Sequence, residues 1–133
     1  MPKLQAISET SLYADDLDRA IDFYSRILGL RQISSMNERG VVFRVNAEQV
    51  LIIFDPAVTR ADDSVVPSHG CEGAGHAAFS IEPSALAEWR QSLIDNKVII
   101  EREVDWPRGG RSIYFRDPAG NSIELVAGPL WPD

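Results

Sequence analysis

Near the C-terminal end, the stretch Arg111 to Val126 sets a carboxylate and two hydroxyls into a strand–turn–strand pattern. Asp117-Pro118-Ala119-Gly120 has the composition of a type I turn, with Pro at its second position and Gly at its fourth. Strand alternation places Ile113, Phe115, Ile123 and Leu125 on one face, and Ser112, Tyr114 and Glu124 on the other. A Glu among β-branched neighbours either meets solvent or lines a site. Two further groups share its parity in other strand-like runs: Glu9 in residues 7–14 and His76 in residues 75–81. If those faces turn toward one space, an imidazole and two carboxylates meet there. Such a set offers mixed nitrogen and oxygen donors to a divalent cation.

The elements that must position them follow from periodicity. After the first strand, Asp15 and Asp16 supply a helix N-cap. Apolar residues at Leu17, Ala20, Ile21, Tyr24, Ile27 and Leu28 then trace an amphipathic helix that ends at Gly29. Strands are expected over 30–34, 41–45 and 50–54, and a long polar loop over 57–74. The same grammar then recurs: a strand over 75–81, a helix from Glu82-Pro83-Ser84 to about Asn96, and strands over 98–104, 111–116 and 122–126. This predicts an α+β fold of two βαβββ modules, forming a curved mixed sheet around a cavity. Module one covers about 7–55, a connector about 56–74 and module two about 75–127, within a single domain spanning 1–133. Aligning the halves pairs Glu9 with His76, Ile52 with Glu124 and Arg44 with Arg116.

Composition narrows the partners. A net charge of −7 leaves no basic run for a phosphate backbone, which argues against nucleic acid. No apolar run approaches the roughly 18 residues of a membrane span, and the N-terminus lacks the apolar core of a secretory signal, so a cytoplasmic location is expected. The single cysteine, Cys71, excludes an internal disulfide and a cysteine-based metal cluster. Small molecules, or a second copy of the chain, are the expected partners.

The paired modules, the segment DLDRAIDFYSRILGL, the strand GHAAFSI and the ending RDPAGNSIELV resemble the vicinal oxygen chelate superfamily over about residues 7–127. Glyoxalase I, fosfomycin-resistance thiol transferases, extradiol dioxygenases, methylmalonyl-CoA epimerase and bleomycin-binding proteins belong to it. Position by position, the resemblance implies metal ligation by Glu9, His76 and Glu124, with Glu9 also available as a base. Ile52 stands where glyoxalase I carries a fourth ligand, which is closer to the three-ligand site of the fosfomycin enzymes. The implied cofactor is a divalent ion: Mn, Ni, Zn, Fe, Co or Mg. Three protein ligands leave positions open for substrate oxygens.

Ser112 and Tyr114 match a Ser-x-Tyr of the fosfomycin enzymes that contacts substrate. Arg44, Arg111, Tyr13, Ile52, Phe54, Trp106 and His69 complete the candidate substrate-binding set. The resemblance also implies a homodimer. The expected function is a metal-dependent lyase, isomerase or thiol transferase acting on a small oxygenated substrate. The alternatives are a non-catalytic binder of an antibiotic or metabolite and, against the single His and short chain, an extradiol dioxygenase.

Overall fold

The computed structural model describes residues 1–61 and 66–133, arranged as two compact units, Met1–Gly73 and Ala74–Asp133. Each unit is a βαβββ module built on a four-stranded mixed sheet.

In the first unit, β1 (Glu9–Tyr13) lies parallel to β4 (Val50–Phe54). Antiparallel β3 (Gly40–Arg44) and β2 (Arg31–Ser35) continue the sheet in the order β1-β4-β3-β2. Between β1 and β2 runs α1 (Leu17–Asp22). Its N-cap is Asp16, whose side chain accepts from the Arg19 N–H. The helix continues as a wider π-turn over Phe23–Ile27 before Gly29 stops it at φ 69°. That turn buries Phe23, Tyr24 and Ile27, and Tyr24 packs its ring against Phe43 with centroids 5.6 Å apart. The expected loop after β4 contains one helical turn, α2 (Pro56–Thr59), capped by the Asp55 carboxylate.

The second unit repeats the plan. β5 (His76–Ile81) is parallel to β8 (Ser122–Ala127), and β7 (Arg111–Arg116) and β6 (Arg102–Asp105) follow antiparallel. The helix enters through a 3₁₀ turn at Pro83–Ala85 and continues as α3 (Leu86–Asp95). Lys97, at φ 59°, ends it, and the Val98 N–H closes back onto the Leu93 carbonyl. This corrects the expected strand over 98–104. Residues 98–100 are spent leaving the helix, Ile99 is exposed, and the ladder begins only where Arg102 meets Tyr114.

Alternation predicts the buried face correctly for most strand positions: Leu12, Leu51, Ile53, Ile113, Phe115, Ile123 and Leu125 are buried, while Phe79 and Ile81 are only partly covered. The repeat also holds at the level of the ladder. Glu9 pairs with Val50 as His76 pairs with Ser122, and Ser11 pairs with Ile52 as Ala78 pairs with Glu124. Arg44 and Arg116 likewise sit opposite Val50 and Ser122.

Candidate functional site

Cross-strand partners point to the same side of a sheet. One face of the second sheet therefore carries the row Arg102, Tyr114, Glu124 and Ala78, flanked by Arg116, Ser122 and His76 and by Val104, Ser112 and Val126. Glu124 is not a solvated strand carboxylate: it is 4% exposed, and Ser112 beside it is fully buried. A buried carboxylate requires partners. Glu124 Oε2 accepts from the Ser112 hydroxyl at 2.5 Å, and Ser112 Oγ in turn accepts from the indole N–H of Trp106 at 2.8 Å. The other oxygen, Oε1, lies 3.3 Å from His76 Nε2.

The remaining contact of His76 defines its chemistry. Nδ1 is 3.0 Å from the Ser122 carbonyl oxygen, which can only accept, so Nδ1 carries a hydrogen. In the neutral ring Nε2 is then a lone pair, and it faces a carboxylate oxygen. Two such atoms sit side by side only with a proton or a cation between them. A carbonyl on one imidazole nitrogen with the other directed at a carboxylate is also how protein scaffolds prepare a metal-ligating His. With metal–ligand bonds of about 2.1 Å, neighbouring donors lie roughly 3.0–3.4 Å apart, which brackets the observed separation. The pair thus suits a divalent ion.

Tyr114 stacks on the His76 ring, with centroids 6.2 Å apart and planes 22° from parallel. Burial, a hydrogen bond with Glu124 and that carboxylate's charge together hold its phenol above the ordinary pKa, against an opposing contribution from Ser112. Beside it opens a cavity of about 370 Å³ lined by Glu101, Arg102, Val104, Trp106, Tyr114, Arg116 and Ser122. Arg116 is engaged bidentately by Glu101, at 2.9 and 3.2 Å. Arg111 lies on the opposite face with Ile113 and Phe115, its guanidinium held by Asp105.

The entry to β5 is tied to the β7–β8 hairpin by buried polar groups. Asp117 accepts from the N–H groups of Ala119 and Asn121 and from the Asn121 side chain, while Asn121 Oδ1 accepts from the Gly75 N–H at 2.8 Å. This clamp seats the residue immediately before His76.

In the first unit Glu9 is exposed at the start of β1, and Arg44 shares its face. Ile52 and Phe54 are buried on that face. His69 comes in from the connector, its N–H bonded to the Thr59 carbonyl. Its Nδ1 lies 2.7 Å from the Tyr13 hydroxyl, its ring meets the Phe54 ring edge-on at 4.7 Å, and Arg39 Nη2 is a long 3.5 Å from Nε2. Burial and then the Cys71 thiol push the Tyr13 phenol above its ordinary pKa, with Arg60 opposing. A raised folded value favours the neutral phenol. Its contribution to stability is complete below the ordinary tyrosine range and is lost as pH rises through the folded value. Ultraviolet titration of wild type and Tyr13→Phe should assign a late-titrating phenol to Tyr13; a Tyr13 component in the ordinary range contradicts this.

Among the described residues, no three His, Cys, Asp or Glu side chains are grouped closely enough to hold a metal ion. The structure brings His76 and Glu124 together, with Ser112, Tyr114 and Trp106 around them. Tyr13, Phe54 and His69 form a separate group. Sequence reasoning missed Arg39, Arg102 and the Asp117–Asn121 clamp. Arg102 is placed by the strand pairing, which sets it opposite Tyr114.

The family model of the Glyoxalase/Bleomycin resistance protein/Dioxygenase superfamily matches residues 6–125. The chain belongs to this superfamily. Among superfamily structures, that of a lactoylglutathione lyase from Agrobacterium tumefaciens is 38% identical, covers 99% of this chain and 100% of its own, and superposes with a TM-score of 0.92. A metallothiol transferase FosB of Staphylococcus saprophyticus is 29% identical over 96% of this chain and 80% of its own length. A lactoylglutathione lyase of Escherichia coli O157:H7 is 25% identical over 88% of each. Membership implies a general catalytic or ligand-binding role. No helix among the described residues is long and apolar enough to cross a membrane.

Proposed function

We propose that the protein is a metal-dependent lyase or thiol transferase acting on a small oxygenated substrate that carries, or reacts with, a thiol. The observation that carries this reading is the His76 Nε2–Glu124 Oε1 pair, with the outer atom of each side chain already committed elsewhere. In this reading His76 and Glu124 hold a divalent ion (Mn, Ni, Zn, Fe, Co or Mg). Glu9, exposed at the start of β1, supplies the third donor from a second copy of the chain in a homodimer. Both sets of relatives, lactoylglutathione lyases and metallothiol transferases, are named for thiol chemistry. Ile52, in the place equivalent to Glu124, favours the transferase over a four-ligand lyase.

The ion would act as a Lewis acid toward substrate oxygens. The protein's own groups do the rest. Trp106, Val104 and Tyr114 wall the substrate body, with the Tyr114 hydroxyl hydrogen-bonded to Glu124 beside it. Arg102, which has no carboxylate partner among the described residues, meets an anionic substituent. Glu9, exposed at the start of β1, would serve as the base in this reading.

Protein purified without chelator or a metal-affinity tag should contain or take up about one divalent ion per chain, and should turn over in a panel of methylglyoxal–thiol adducts, fosfomycin with thiols, and catechols. Ligand binding with neither ion nor turnover would favour the non-catalytic binder. Turnover of catechols alone would favour the dioxygenase.

A further inference from the structure

The polar atoms of Trp106 and Ser112 are committed to a chain that ends on Glu124: the indole N–H donates to Ser112, and the Ser112 hydroxyl to the carboxylate. We infer that Trp106 and Ser112 are positioning residues that hold the Glu124 carboxylate in the orientation that presents Oε1 beside His76. The inference rests on the metal reading given above.

An indole N–H can only donate, so the 2.8 Å contact makes Ser112 Oγ an acceptor from Trp106. Ser112 has one hydrogen, and the 2.5 Å contact to Glu124 Oε2 takes it. The hydrogen bonds therefore run in one direction, from Trp106 to Ser112 to the Glu124 carboxylate. The terminal carboxylate torsion of a Glu is soft. Pinning Oε2 removes that freedom and leaves Oε1 as the atom that meets His76 Nε2. The far end of the chain is equally fixed. The Trp106 backbone closes the turn between β6 and β7, its amide N–H donating to the Gly110 carbonyl and its carbonyl accepting from the Gly109 N–H. Ser112 is absent from the cavity wall, whereas Trp106 forms part of it.

The test is titration of purified Mn²⁺ or Zn²⁺ into wild type, Ser112→Ala, Ser112→Thr and Trp106→Phe, read by calorimetry, with thermal melting of each metal-free protein as the check on folding. Ser112→Ala should weaken metal affinity by roughly 10–100-fold, the range for removing an outer hydrogen-bond partner of a metal ligand. Trp106→Phe should weaken it less, because Ser112 keeps its own hydrogen bond, and Ser112→Thr should restore most of it. The Trp106 indole N–H resonance, assigned by its loss in Trp106→Phe, should shift on adding metal to wild type and stay put in Glu124→Gln. Equal affinity in wild type and a folded Ser112→Ala overturns the positioning role and leaves the metal reading standing. If Ser112→Ala fails to fold, the Trp106→Phe affinity and the indole resonance decide instead. A wild type that takes up no ion overturns both.

Discussion

Glu124→Gln should abolish stoichiometric metal uptake and, with it, turnover, while leaving the fold intact. Gln keeps the shape of the side chain and an oxygen for the Ser112 hydroxyl, but it removes the charge that balances a cation. The folded metal-free variant should be no less stable than wild type. Replacing a buried charge by a neutral isostere relieves desolvation while His76, half exposed, turns to water. Elemental analysis and thermal melting measure the two halves separately. Unchanged metal content in a folded Glu124→Gln protein would remove Glu124 from the ligand set. Loss of folding would show that the carboxylate is structural.

Asp117→Ala should give the largest loss of stability of any single polar substitution in the second unit. Three N–H groups converge on that carboxylate, two of them backbone, and both Asp117 and Asn121 are buried. Removing the acceptor leaves buried donors unpartnered at about 1–3 kcal/mol each, moderated where water reaches Ala119. A net loss of about 3 kcal/mol corresponds to a melting temperature lower by roughly 10 °C in a chain of this size. The second effect is on placement. Asn121 also holds the Gly75 N–H, so the start of β5 loosens and metal affinity falls in whatever fraction remains folded. A melting temperature within a degree or so of wild type would contradict the account.

How far the sequence reaches is clearest at neighbouring positions. Parity alone puts Ser112, Tyr114 and Glu124 on one face, and the ladder agrees. The same parity sets Arg111 with Ile113 and Phe115, away from the cavity; its type suggested an anion contact, but its place in the strand did not. Arg102 went unnoticed for a register reason. The run beginning at Val98 reads as continuous strand, yet Lys97 in the left-handed region and the Val98–Leu93 bond delay the ladder, and only the true pairing sets Arg102 opposite Tyr114. Nor does the sequence foretell that a buried Ser would link an indole to a carboxylate, because that link depends on how tightly the turn after Trp106 closes. The Asp-Pro-Ala-Gly-Asn run announces a turn. That its Asn also clasps another strand is a tertiary fact.

Both units place a β1-like strand beside a β4-like strand in the same register, yet one carries His and Glu at two diagonal positions of the same face and the other carries Glu and Ile. The molecule thus contains its own control. What only one half has is not demanded by the architecture. By that comparison the glycine at the place of Ser112 and the valine at the place of Tyr114 show that neither hydroxyl is needed to build the sheet.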